Sequence, residues 1–133
     1  MTASSTPSKT ECNLALLGFG NVGKAFVSLL LEKAQFLQAH QIHLPVVGIA
    51  TKNHGLAIDS RGILLGDALK AVQAGKSLSQ LSAHPVPDLE TFLETCGAGA
   101  IIETTPVNYR TGQPALGYLE TALEQGMHAI TAN

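Results

Sequence analysis

The sequence predicts an α/β protein, a doubly wound parallel sheet with helices on both faces. Three observations predict it. Residues 18–23 read GFGNVG, a G-x-G-x-x-G run placed directly after the apolar run 14–17. Apolar residues then recur at helical spacing, and a second apolar run at 44–50 follows them. Strand, glycine turn, helix and strand form the βαβ unit, whose crossover is right-handed in nearly every known case. Within such a unit each glycine has its own task. The first turns the chain out of the strand, the second lets backbone approach a pyrophosphate, and the third lets helix pack close to strand. A helix opening at Asn21 would aim unpaired N–H groups and its positive dipole end at bound phosphates. Gly18, Phe19, Gly20, Asn21, Val22 and Gly23 are therefore the candidate cofactor-binding loop. A glycine-rich chain could use the same hexapeptide as a plain turn, and 13 of the 133 residues are glycine. The flanking strands are the context that separates the two readings.

Taken in order, residues 1–12 form a Ser- and Thr-rich tail ahead of a nucleotide-binding domain over 13–133. The first strand spans 13–17, short and apolar throughout, as suits burial on both faces. Val22, Phe26, Leu29, Leu30 and Leu37 give one apolar stripe, predicting an amphipathic helix over 21–38. The second strand follows at 44–50, with Pro45 near its start, where a missing N–H is tolerated. Residues 53–62 read as a loop punctuated by Gly55 and Gly62, and 64–75 as a helix ending at a glycine. Asp88 is placed to cap a short helix whose Leu89, Phe92, Leu93 and Cys96 share a face, which makes Cys96 a core residue rather than a nucleophile. A third buried strand spans 98–102, Pro114 stands at the first position of a helix reaching Gly126, and a last strand covers 128–132. With the chain stopping beside that strand, the sheet is expected to be truncated, leaving one side of Ile130 uncovered.

Composition narrows the function. One domain is the expectation for 133 residues, 45% of them hydrophobic. A formal charge of −2 with only 14% charged residues provides no basic face for nucleic acid or anionic lipid, so neither is an expected partner. No apolar run approaches the length of a membrane span, and the first residues lack the apolar core of a signal peptide; a cytoplasmic location is expected. Two cysteines outside any C-x-x-C, and five histidines without ligand spacing, give no metal site.

Two further positions carry information about a cofactor. An acid at the end of the second strand would accept hydrogen bonds from a ribose 2′-hydroxyl and repel a 2′-phosphate. Here Thr51, Lys52 and Asn53 stand there, with no acid before Asp59. This leans toward NADP over NAD, with Lys52 and the Thr51 hydroxyl near the extra phosphate; the alternative is that Lys52 is a solvated loop residue. The third strand runs into Glu103, Thr104, Thr105 and Pro106, beyond the carboxyl end of the sheet where ligands of such folds lie. Thr104 and Thr105 offer hydroxyls and backbone N–H groups to a ribose or nicotinamide. A plain strand-end turn is the alternative.

Together, LGFGNVG (17–23), VVGIA (46–50), ETTP (103–106), TGQPAL (111–116) and the closing GMHAITAN (126–133) resemble the N-terminal NAD(P)-binding Rossmann domain of homoserine dehydrogenase. The resemblance covers nearly everything after residue 12. It implies an oxidoreductase that interconverts L-homoserine and L-aspartate 4-semialdehyde, on the route to threonine, methionine and isoleucine. It also implies that Gly20, Asn21 and Val22 contact the pyrophosphate, that Thr104 and Thr105, beside Pro106, contact the nicotinamide ribose, and that Asn133 lies at the cofactor site. Two departures stand out. The arginine often found after the second strand in NADP-preferring members is replaced by Thr51-Lys52-Asn53. The family's lysine for proton transfer would follow Asn133, and the catalytic and dimerisation domain would follow that. No catalytic residue is thus assigned, and the chain alone is expected to be silent, with substrate binding and homo-oligomerisation belonging to the full-length enzyme. A free-standing dinucleotide-binding or sensing module is the competing reading. A related reductase, such as an aspartate dehydrogenase or a dihydrodipicolinate reductase, ranks after it.

Overall fold

The computed structural model describes residues 9–106 and 108–133. Along the chain run β1 (Thr10–Glu11), β2 (Leu14–Leu17), α1 (Asn21–Glu32), α2 (Ala34–Ala39), β3 (Ile42–His43), β4 (Val46–Ala50) and β5 (Leu56–Ile58). Then come α3 (Leu65–Gln73), a 3-10 turn at Leu78–Leu81, α4 (Leu89–Thr95), β6 (Ala100–Glu103), α5 (Ala115–Glu124) and β7 (His128–Thr131). The main sheet has the order β5-β4-β2-β6-β7, parallel except for β5.

Side-chain alternation in β2 decides the layers. Leu14 and Leu16 pack with Val27 of α1 and Ala68 of α3, whereas Ala15 and Leu17 pack with Phe92, Leu93 and Cys96 of the α4 segment and Ala122 of α5. Successive strand residues point to opposite faces, so one apolar strand feeds two cores and the result is a three-layer α/β/α arrangement. Gly48 belongs to the second core by its lack of a side chain: a Cβ there would sit 2.8 Å from the Phe92 ring. Asp88 caps α4 as its position predicts, accepting a 2.7 Å hydrogen bond from the Thr91 N–H, and Cys96 is buried, where desolvation pushes its thiol pKa up.

Four expectations are corrected in detail. Thr10 and Glu11 are not part of a loose tail but pair in parallel with Ile42 and His43, two to a strand. The single helix over 21–38 is two helices, because Lys33 leaves helical geometry at φ −93° and ψ 11° between them. Residues 56–58, inside the predicted loop, form β5, which returns antiparallel to β4 and makes the sheet mixed at that edge. Pro114 stands just before the first residue of α5 rather than within its first turn. At the opposite edge β7 is exposed along its length, with Ile130 54% exposed.

Candidate functional site

The carboxyl ends of the four parallel strands are level. Ala50 and Glu103 both register with Leu17, and Thr131 registers with Glu103. The ladder continues one residue further: Gly18 N–H donates to Ala50 O at 2.8 Å, Thr104 N–H to Leu17 O at 2.9 Å, and Ala132 N–H to Glu103 O at 2.9 Å. The segments leaving this edge are the glycine loop at 18–23, the turn at 51–55, the stretch 104–106 and the stretch 132–133. The chain goes from β2 through α1 to β4 on one side, while β6 adds on the other side of β2, with α4 and α5 on the opposite face. The crevice between the glycine loop and Thr104–Thr105 is thus the topological switch point, where open α/β sheets hold ligands.

The three glycines of the loop have three different surroundings. Gly18 has φ +102°, and a Cβ there would lie 2.9 Å from Thr104 Oγ1 and 3.1 Å from the Thr105 nitrogen. Gly23 is buried, with a Cβ position 2.8 Å from the Gly18 carbonyl oxygen, so only glycine lets α1 start this close to β2. At Gly20 a Cβ would meet nothing within 4 Å. The space over Gly20 is open, and it is the only one of the three that protein atoms do not claim. Gly20 caps α1 without a side-chain partner, and the first helical turn closes with Lys24 N–H on Gly20 O. Among the described residues the N–H groups of Asn21, Val22 and Gly23 have no hydrogen-bond acceptor. Unfilled amides at a helix N-terminus beside open space suit an anion, above all a phosphate. Phe19 is buried in the first core and anchors the loop, while Val22 is 54% exposed.

On the β4 side, the Thr51 hydroxyl donates to Gly55 O at 2.7 Å and accepts from His54 N–H at 2.8 Å. Its proton is committed to closing the turn into β5, so it supports the loop rather than reaching outward. Lys52 is exposed, and the described residues give it no ion pair. No carboxylate lies in the turn 51–55.

On the β6 side the polar cluster is more ordered than its sequence suggests. Glu103 is 1% exposed, the one buried charged residue among those described. One carboxylate oxygen accepts from Thr105 N–H at 2.6 Å and from the Thr105 hydroxyl. The other accepts from the Thr131 hydroxyl at 2.7 Å, and the Asn133 side-chain amide reaches both at 3.0 and 3.1 Å. Burial by itself would raise the Glu103 pKa, but the hydrogen bonds from Thr105, Thr131 and Asn133 outweigh it and hold the carboxyl below its ordinary value. The sequence predicts Thr104 and Thr105 as hydrogen-bond donors to a ligand; in the structure these donors face protein acceptors. Thr104 N–H bonds Leu17 O, its hydroxyl bonds Gly18 O at 3.4 Å, and both Thr105 donors bond Glu103. Asn133 likewise spends its amide N–H groups on Glu103 and on Thr105 O at 2.8 Å. Pro106 is exposed at the rim. The role of Glu103 is what the sequence hides, although an acid ending an apolar strand, followed by two threonines, is the signal that could have exposed it. No cluster of three or more metal-ligating side chains occurs among the described residues, and none of their helices is long and apolar enough to cross a membrane.

No protein-family profile matches the chain. Its curated relatives are homoserine dehydrogenases. One, named an NAD(+)-dependent homoserine dehydrogenase, from Pseudomonas canavaninivorans, is 32% identical over 126 residues, which are 93% of this chain and 36% of the relative. The chain therefore spans about a third of the length of the relatives it matches. The fold is that of solved homoserine dehydrogenases. That of Thermoplasma acidophilum superposes with a TM-score of 0.73 at 22% identity, over 93% of this chain and 35% of that one. A hyperthermophilic archaeal mutant enzyme in complex with NADPH gives 0.70 at 21% identity, over 93% and 36%.

Proposed function

We propose that this chain, a homologue of homoserine dehydrogenases over about a third of their length, is the dinucleotide-binding part of such an oxidoreductase, which interconverts L-homoserine and L-aspartate 4-semialdehyde in amino-acid biosynthesis. The observation that carries it is the open space over Gly20 beside three unpartnered amides, at the switch point of the sheet. Gly20, Asn21, Val22 and Gly23 would take the pyrophosphate on their backbone. The adenosine half would run over the end of β4 toward Lys52, and the nicotinamide half over β6 toward Thr104 and Thr105. The nicotinamide supplies the hydride chemistry; the residues of this chain bind and orient it. Glu103, the one buried carboxylate among the described residues, is saturated with donors and so is not available to take a proton from a substrate hydroxyl.

Within this proposal the exposed Lys52 and the absence of a carboxylate in the turn 51–55 support NADP. The naming of a 32% identical relative as NAD(+)-dependent supports the other cofactor. Calorimetric titration of the chain with NADPH and, separately, NADH tests both levels. Saturable binding of either upholds the proposal, and the tighter of the two identifies the cofactor. A folded chain that binds neither refutes it.

A further inference from the structure

We propose that Glu103 is a positioning residue for the nicotinamide half of the cofactor. It ties the stretch after β6 to the stretch after β7 and takes up the donors of Thr105, Thr131 and Asn133, which helps leave acceptors on the rim among the described residues. The inference rests on the dinucleotide-binding proposal above.

A buried carboxylate is costly unless hydrogen bonds repay its lost hydration. Glu103 is repaid by three residues from two separate segments: Thr105 two positions along, Thr131 at the end of β7, and Asn133 beyond it. All three are uncharged. Asn133 closes the circuit by donating to Thr105 O at 2.8 Å. The stretch 104–105 is in turn the wall of the glycine loop, since any side chain at Gly18 would strike Thr104 Oγ1 and the Thr105 nitrogen. The carboxylate thus fixes the spacing between the loop under the pyrophosphate and the rim over β6. Its chemical consequence is a division of the crevice. The start of α1 presents free N–H groups, which suit phosphate oxygens. Around β6 the N–H and O–H groups of Thr104 and Thr105 and the side-chain N–H groups of Asn133 already point at protein oxygens. What that rim can offer a ligand is oxygen lone pairs, and these suit ribose hydroxyls and a carboxamide NH2.

The test separates the two halves of the ligand. Wild type, Glu103→Gln and Thr131→Val are titrated with the preferred reduced dinucleotide and with the matching ADP or 2′-phospho-ADP, which has the adenosine and the pyrophosphate but neither the second ribose nor the nicotinamide ring. Glu103→Gln is expected to weaken dinucleotide binding by roughly tenfold while the affinity for the ADP-type ligand changes by less than about threefold, because an amide accepts at one oxygen only and sets an NH2 against the donors that face the other. Thr131→Val removes one donor to Glu103 and the acceptor of the Asn133 N–H, and should shift the same ratio in the same direction by a smaller factor. It keeps the test decisive if Glu103→Gln does not fold. Equal losses for both ligands in the folded variants, or no loss for either, overturns the role of Glu103. A wild-type chain that binds neither ligand overturns the dinucleotide-binding proposal itself, and the two failures are distinct.

Discussion

Replacing Gly20 with valine isolates the ligand from the fold. The backbone there has a negative φ of −84°, unlike the positive φ of Gly18, and a Cβ would meet nothing within 4 Å. The folded chain therefore has room for the new side chain, and the expected stability cost is that of a poorer helix cap, roughly 1 kcal/mol. A bound pyrophosphate needs that same space. Displacing it from the amides of Asn21 and Val22 forfeits one or two charge-assisted hydrogen bonds, each worth about 1.5–3 kcal/mol. Affinity should fall by at least about tenfold, roughly the equivalent of 1.4 kcal/mol, and by far more if both bonds are lost. Calorimetry with NADPH and NADH reads the affinity, and a thermal melt reads the fold. Gly18→Ala is the control with the opposite profile: φ +102° and contacts of 2.9 and 3.1 Å with Thr104 make it strained in the empty protein, costing about 1–3 kcal/mol of stability. Wild-type affinity in Gly20→Val would refute the placement of the pyrophosphate, and a Gly20 variant as unstable as the Gly18 one would refute the claim that its surroundings are open.

Three other outcomes follow from particular residues. Lys52→Glu should weaken NADPH binding by about tenfold and NADH binding far less, since a carboxylate beside a 2′-phosphate repels it; equal changes in two parallel titrations would place Lys52 away from the ribose. Gly48→Ala should lower Tm without altering ligand affinity, because its Cβ would stand 2.8 Å from a Phe92 ring that is fully buried and cannot swing away, an overpacking cost of roughly 1–3 kcal/mol; an unchanged melt would show that the α4 layer yields. Acid should weaken the Glu103 clamp. Its folded pKa lies below the ordinary 4.5, so its contribution to stability is complete above that pH and is lost as pH falls through the folded value. The Tm advantage of wild type over Glu103→Gln should therefore be constant from pH 7 to 5 and shrink below about 4.5; an advantage that does not change with acid would show that the carboxylate is not held ionised.

The parts of the fold visible in the sequence are those where one local pattern had no competitor. The strands at β2 and β4 are short apolar runs, the first ending at Gly18 and the second opening after Pro45, and the Asp88 cap is a side chain acting three residues away. Burial of Cys96 follows from helical spacing alone. What escaped depends on distant partners. Leu56-Ala57-Ile58 is too short to announce itself as a strand, and it pairs with β4 across a turn that the Thr51 hydroxyl and N–H close onto Gly55. Thr10 and Glu11 become a strand through Ile42 and His43, residues some thirty positions away. No glycine or proline marks the break at Lys33. At the candidate site, the glycine loop was legible because Gly18 and Gly23 stand where neighbouring protein atoms leave no room for a Cβ, a constraint written in residue type. Glu103 was not legible as a clamp, because its donors at Thr131 and Asn133 lie 28 and 30 residues further on.

That difference also explains why the two walls of the crevice differ chemically. The α1 wall is built by removing side chains, so its N–H groups are left without acceptors and stay available for a ligand. The β6 wall is built by adding a buried charge, and an ionised carboxylate can only accept; Thr105, Thr131 and Asn133 all donate to it. A dinucleotide laid across β2 meets donors at its anionic centre and acceptors on the side of its neutral, hydroxyl- and amide-bearing half. Reversing the ligand would put the adenosine half over the β6 rim and take the extra phosphate of NADP, where present, away from Lys52 toward a wall of oxygens around a buried carboxylate. On the dinucleotide-binding proposal, the polarity of the crevice, and not its shape alone, would fix which end of the cofactor lies over β6.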